Sequence, residues 1–193
     1  MTLPIMKNTT LSLIYPEAIM THTHIGDVVL TTEQIQQGVQ TVAQQLNTAY
    51  QGKEVVVITV VPGGILFTAD LVRQLTFPIS MDTLSCPHTP GERNNSSDIL
   101  YHQHTAIAGK HVIVIDDAIE SGGTMKRLVE HLQTGFDLAS LAVATLFVKP
   151  GRVSIPAPQY YAYEMDSDDL LVGYGLPWHD QSRNLPLIAK VIK

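Results

Sequence analysis

Cysteine occurs once in this 193-residue chain, as Cys86. A single thiol excludes an internal disulfide framework and any four-cysteine zinc site. Charge is also scarce. Asp, Glu, Lys and Arg make up 16% of the residues, with eighteen acids against twelve bases and a net charge of −6. No basic tract occurs, which argues against a surface built to grip a nucleic-acid backbone. No apolar run approaches the roughly 18 residues that cross a bilayer. The first residues carry Lys7 but no long apolar stretch and no small-residue cleavage site, so no secretory signal is visible. The expectation is a soluble, cytoplasmic protein with neither membrane nor nucleic acid as a partner.

Hydrophobic residues make up 45% of the chain, which excludes disorder as the main state. The length suits one domain with a core large enough to need no staple. Residues 1–26 are broken by Pro4, Pro16 and Gly26 and show no sustained period. They read as an N-terminal extension ahead of a domain over 27–193. Thr31 and Gln34 have capping-box spacing. Ile35, Val39, Val42, Ala43 and Leu46 follow at helical intervals, with Gly52 as the stop. Residues 54–61 (EVVVITVV) are apolar and mostly β-branched after the first, which suits a strand buried on both faces of a parallel sheet. Pro62-Gly63-Gly64 breaks it, and a helix is predicted over Ile65–Leu75. A second strand follows over Ile79–Ser85. A polar loop of Pro, Gly, Asn and Ser runs over about 86–98, and a loop of that length inside a compact domain is often functional. His111–Ile115 is a third strand, 138–148 another apolar run, and Tyr160–Tyr163 and Leu170–Val172 are late short strands. The order of elements predicts an α/β domain around a mostly parallel twisted sheet flanked by helices.

Chemistry concentrates in HVIVIDDAIESGGTM, residues 111–125. A buried strand ends in Asp116 and Asp117, and a short loop with Ser121, Gly122, Gly123 and Thr124 leads into a helix. Open α/β sheets bind ligands beyond the C-terminal ends of their strands. The glycines let backbone approach closely, and a helix start offers N–H groups to an anion. Neither GxxxxGK[ST] nor a GxGxxG behind a strand is present. Two acids directly ahead of a phosphate cradle would repel a bare phosphate. They make sense if they accept hydrogen bonds from hydroxyls of the same ligand, as a sugar phosphate with a vicinal diol provides.

VIVIDDAIESGGTM resembles the phosphoribosyl pyrophosphate (PRPP) motif of the type I phosphoribosyltransferases. The remainder, over about residues 28–192, is most similar to the hypoxanthine-guanine (6-oxopurine) members. The resemblance implies their fold, with a small hood formed by N- and C-terminal segments. It implies transfer of the 5-phosphoribosyl group from PRPP to hypoxanthine or guanine, giving a nucleoside monophosphate and pyrophosphate in purine salvage. It further implies Mg²⁺ as cofactor and a homodimer or homotetramer.

Carried over residue by residue, the resemblance puts the ribose on Asp116 and Asp117. The phosphate falls on Glu120, Ser121, Gly122, Gly123 and Thr124. Pyrophosphate falls on Pro62, Gly63, Gly64 and the C-terminal Arg183. The purine falls on Lys149, Tyr161 and Ala162, with Lys149 at the 6-oxo group, and Asp168 is placed near the magnesium. Three departures stand out. Glu120 occupies the position where the family has a catalytic aspartate near N7 of the base. Val61-Pro62 replaces a Leu-Lys or Leu-Arg dipeptide, and a proline there makes a cis bond far less costly. The Ser-Tyr pair of the lid is absent from Ser85-Cys86-Pro87-His88. These departures leave room for a xanthine- or adenine-specific enzyme, or for a weakened PRPP- or nucleotide-sensing regulator. Lys149 favours a 6-oxopurine, because a cation prefers a carbonyl oxygen to an amino group. The pairs His22/His24 and His102/His104 lack a third ligand and read as surface or hydrogen-bonded histidines.

Overall fold

The computed structural model describes residues 24–86 and 97–192. Nearly all of the expected extension and most of the polar 86–98 loop lie outside the described residues, as does His22. The strands are β1 (Ile25–Leu30), β2 (Val55–Val61), β3 (Ile79–Ser85), β4 (His111–Ile115), β5 (Ala118–Ile119), β6 (Ser140–Val148), β7 (Gln159–Glu164), β8 (Leu171–Val172) and β9 (Ile188–Val191). The helices are α1 (Thr32–Ala49), α2 (Ile65–Val72) and α3 (Gly123–Gly135).

The described chain divides into two compact units, one within 38–168 and one made of residues up to 37 together with 169–192. The larger unit holds a six-stranded sheet in the order β3-β2-β4-β6-β5, with β7 also paired to β6. Every pairing in it is parallel. Val55–Val60 are all buried, which is why β2 reads as a continuous apolar run instead of alternating. Val56, Ile58, Val112, Val114 and Val143 join Leu128, Val129 and Leu132 of α3 in one core. In the smaller unit β1, β9 and β8 form an antiparallel sheet. Its own core comprises Ile25, Val28, Val172, Leu185, Leu187 and Ala189.

Local signals behave as their chemistry dictates. The Thr31 amide donates to Oε1 of Gln34 at 2.9 Å, and the Gln34 amide donates back to Oγ1 of Thr31 at 3.3 Å. This is the reciprocal capping box, and it satisfies two donors that a helix start leaves over. Gly52, past the end of α1, takes φ +73°, which L-residues adopt reluctantly. α2 is shorter than its periodicity suggests. After Val72 the amides of Gln74 and Leu75 reach back three residues, to Leu71 and Val72, tightening the end into a 3₁₀ turn. The expected cis bond is present at Val61–Pro62.

One polar anchor had no counterpart in the sequence reading. Asp82, on edge strand β3, is 5% exposed. Its carboxylate accepts hydrogen bonds from the amides of Thr83, His104 and Thr105 and from the Tyr101 hydroxyl. Burial pushes its pKa up, but these donors outweigh burial and hold the carboxyl below its ordinary value. Burial and the neighbouring Asp82 charge push Tyr101 the other way, upward. Because the folded-state pKa is depressed, the stabilisation is complete above the unfolded carboxylate range. It is lost as pH falls through the folded value. Asp82→Asn keeps an oxygen acceptor but loses the charge. We expect it to lower unfolding free energy by about 1–3 kcal/mol at neutral pH. The deficit should shrink as the solution is acidified below about pH 4. Urea unfolding of both proteins across pH 3–7 checks this. A deficit that does not change with pH contradicts it.

Candidate active site

The C-terminal ends of parallel strands β2, β4 and β6 put three loops side by side. After β2 comes Pro62-Gly63-Gly64. A Cβ at Gly63 would lie 2.8 Å from Oδ2 of Asp117 and 3.4 Å from Oδ1 of Asp116. One at Gly64 would lie 2.8 Å from the Ile115 carbonyl oxygen and 2.9 Å from Cα of Asp116. At Gly64 the neighbours are backbone atoms, closer than a real Cβ comes, so glycine there is a condition of packing the β2 loop onto the end of β4; at Gly63 a side chain would have to displace the Asp117 carboxylate. Gly63 and Gly64, expected at the pyrophosphate, thus pack against the acids expected to hold the ribose.

The acids are set by their own backbone. The Asp117 amide donates to Oδ1 of Asp116 at 2.9 Å, and the Ala118 amide donates to Oδ1 of Asp117 at 2.8 Å. The chain then makes the short strand β5 and enters the Glu120–Thr124 loop. Gly122 caps α3 with φ +80° in the left-handed region, where glycine alone is unstrained. The Gly122 carbonyl accepts the Lys126 amide, and the Ser121 hydroxyl accepts the Gly123 amide at 3.4 Å. The 13-residue helix α3 therefore starts directly on the loop, with its first amides and its dipole directed at it.

β6 delivers Lys149. Its side chain is 2% exposed, and its Nζ lies 2.6 Å from Oε1 of the half-exposed Glu120. This contact joins the residue expected to read the purine edge to the acid expected at N7. The Lys149 amide also donates to the Ile119 carbonyl at 2.8 Å, so backbone and side chain both tie the end of β6 to the phosphate loop. A buried lysine requires such a partner, because an unpaired interior charge is costly.

Four further residues, Tyr161, Ala162, Asp168 and Arg183, were expected at the site. Tyr161 pairs in register with Thr145 of β6, before the strand end that Glu164 and Val148 form. Its ring packs on the core and under the Arg152 guanidinium, whose Cζ is 5.5 Å from the ring centroid. Ala162 points the other way, toward Gly38 of α1, where a Cβ would come within 3.2 Å of it. Asp168 is exposed in the turn after β7. Among the described residues, no group of three or more His, Cys, Asp or Glu is arranged to hold a metal ion. Arg183 belongs to the smaller unit, where it donates to the Gly175 carbonyl at 2.7 Å. The His24 ring meets the Ser182 hydroxyl at 3.1 Å, whereas the His104 ring is largely exposed, 3.5 Å from Asp82, so the first is a hydrogen-bonded histidine and the second a surface one.

The sequence reading missed Arg152. Its signal was a second cation three residues after Lys149, behind Pro150-Gly151 at a strand end. Asp82 was also missed, although an acid within an otherwise apolar strand pattern, ISMDTLS, marks a buried carboxylate.

The phosphoribosyl transferase domain model matches residues 27–178. The chain belongs to the phosphoribosyltransferase family. A hypoxanthine-guanine phosphoribosyltransferase of Staphylococcus aureus is 32% identical over 170 residues, covering 87% of this chain and 94% of the relative. A hypoxanthine phosphoribosyltransferase of Haemophilus influenzae is 30% identical over 175 residues, covering 88% and 97%. Among solved structures, a hypoxanthine-guanine phosphoribosyltransferase of Bacillus anthracis superposes with a TM-score of 0.78 at 34% identity, covering 88% of this chain and 99% of that one. The parallel sheet flanked by helices is the type I phosphoribosyltransferase fold. In this phosphoribosyltransferase no described helix is long and apolar enough to cross a membrane.

Proposed function

We propose that this phosphoribosyltransferase moves the 5-phosphoribosyl group of PRPP onto a 6-oxopurine, hypoxanthine or guanine, releasing pyrophosphate and giving IMP or GMP. The observation that carries the reading is the Lys149–Glu120 contact at the edge of the phosphate loop. A 6-oxopurine offers a carbonyl acceptor at C6 and an N–H at N7 on one edge. Lys149 donates to the first and Glu120 accepts from the second. Adenine presents an amino group at position 6, which a buried ammonium does not welcome.

The remaining roles are those that the family resemblance gives, and the shared strand ends of β2, β4 and β6 support them. Asp116 and Asp117 accept hydrogen bonds from the ribose hydroxyls, and the amides of 121–124 with the α3 dipole take the 5′-phosphate. Pro62, Gly63 and Gly64 flank the pyrophosphate, and Arg183 keeps the pyrophosphate role that the resemblance gives it. As C1 of the ribose gains oxocarbenium character, alignment of base and sugar and charge balance on the leaving group supply most of the rate. Glu120 holds the N7 proton as the new glycosidic bond forms. Tyr161, at the stacking position, and Ala162 keep the purine-binding role that the resemblance gives them.

Magnesium fits this donor set. It commonly binds through one or two carboxylates and completes its shell with substrate phosphates and water. Asp116 and Asp117 are adjacent hard oxygen donors, and Asp168 is a third acid expected near the ion. When bound, the ion supplies positive charge to the pyrophosphate oxygens. By resemblance to its family the protein is read as a cytoplasmic homodimer or homotetramer.

The test is turnover. Protein, Mg²⁺ and PRPP are incubated separately with hypoxanthine, guanine, xanthine and adenine, and nucleoside monophosphate is measured. Product with hypoxanthine or guanine at a kcat/KM at least about tenfold above that for adenine is expected. Preference for adenine, or nucleotide binding without product from any base, contradicts the proposal. The latter outcome would favour a nucleotide-sensing role, for which Glu120 and the missing Ser-Tyr pair are the sequence arguments.

A further inference from the structure

We propose that Arg152 is a positioning residue that braces the base-reading end of β6 against the phosphate loop, so that the two halves of the nucleotide site are held in one register. The inference rests on the 6-oxopurine reading above. Arg152 is held in three directions. Its Nη1 donates to the Lys149 carbonyl at 3.1 Å and lies 2.9 Å from Oε1 of Glu164 at the end of β7. Its guanidinium lies over the Tyr161 ring. The side chain is 20% exposed, against 56% for Glu164, so the guanidinium is the sheltered partner.

The turn that Arg152 closes touches the phosphate loop at Ser121 and Gly122. The Val153 amide donates to the Ser121 carbonyl at 2.8 Å. A Cβ at Gly122 would meet the Val153 carbonyl oxygen at 3.2 Å and Cβ of Arg152 at 3.5 Å. Residues 149 and 153 are thus stitched to 119 and 121, and Arg152 spans the gap between the stitches. A guanidinium suits this task, since Nη1 carries two N–H donors fixed in the guanidinium plane and can serve a carbonyl and a carboxylate together, whereas an ammonium is a freely turning point charge. The exposed pairing with Glu164 contributes little by itself. What it does is fix where the guanidinium points.

Removing the brace should weaken ground-state and transition-state binding together, because Lys149 and the loop amides both drift. That signature is a raised KM with kcat little changed. For Arg152→Ala we expect KM for hypoxanthine and for PRPP to rise roughly tenfold each, with kcat within about threefold of wild type. Arg152→Lys should recover part of the loss. GMP affinity measured by calorimetry should fall in parallel. In a Lys149→Met background the effect of Arg152→Ala on hypoxanthine KM should largely vanish, because the two act on one contact. Unchanged KM values and GMP affinity in a folded Arg152→Ala overturn the inference. So does a loss confined to kcat and thermal stability, which marks a merely structural arginine. Wild-type protein that turns over and binds GMP while the variants match it defeats this inference alone. Wild-type protein that binds no GMP defeats both this inference and the reading beneath it.

Discussion

Replacing Lys149 with Met is expected to lower kcat/KM for hypoxanthine and guanine by roughly 10²–10³-fold. The side chain is almost wholly buried, and its ammonium sits 2.6 Å from Glu120. Met keeps the length and the apolar stem and deletes the charge. Removing one member of a buried pair is usually destabilising, because the other is left as an uncompensated charge. Here the partner left behind is half exposed, so water can solvate it. Folding should therefore be nearly unaffected, and a thermal melt alongside the kinetics separates loss of recognition from loss of structure. The defect should be largest for 6-oxopurines and smallest for adenine, because what is lost is a donor to a carbonyl. A folded Lys149→Met protein within about threefold of wild type on hypoxanthine would mean that the lysine serves only to pair Glu120.

The second large effect concerns the acid pair. Asp116→Asn with Asp117→Asn should reduce kcat/KM for PRPP by roughly 10²–10⁴-fold. The estimate comes from two charge-assisted hydrogen bonds lost together, each worth about 1.5–3 kcal/mol. Asn retains an Oδ1 that can accept the Asp117 and Ala118 amides, so the loop conformation set by those bonds should persist. What disappears is the negative charge that strengthens acceptance from the sugar hydroxyls and that attracts Mg²⁺. The variant's demand for Mg²⁺ should rise as well. A double variant with unaltered KM and kcat for PRPP would show that the acids merely terminate β4.

What was legible in the sequence was short-range. The capping box spans three residues, β2 is a run of branched apolar side chains, and the acid-glycine-hydroxyl order of 116–124 is contiguous. Each declares its chemistry without knowledge of the rest of the chain. What was hidden depends on residues far apart in sequence. Asp82 is satisfied by amides 22 and 23 positions later, and no local period encodes such an arrangement. Glu120 as a loop acid and Lys149 as a strand-end cation were both identifiable, but their contact follows from β5 pairing with β6. The small sheet was only partly visible. β9 pairs with β1 through two register shifts, so neither strand shows a clean alternation. Arg152 stood in plain view but had no period or motif to single it out. Its meaning comes from Glu164 across the sheet and Ser121 across the loop.

The most direct test of the central claim is a crystal structure of the protein with IMP or GMP bound. The account predicts the ribose hydroxyls on the carboxylates of Asp116 and Asp117, the 5′-phosphate on the amides of residues 121–124, and O6 of the purine on Nζ of Lys149. A nucleotide bound elsewhere, or one whose phosphate avoids that loop while its sugar makes no contact with either acid, would contradict it.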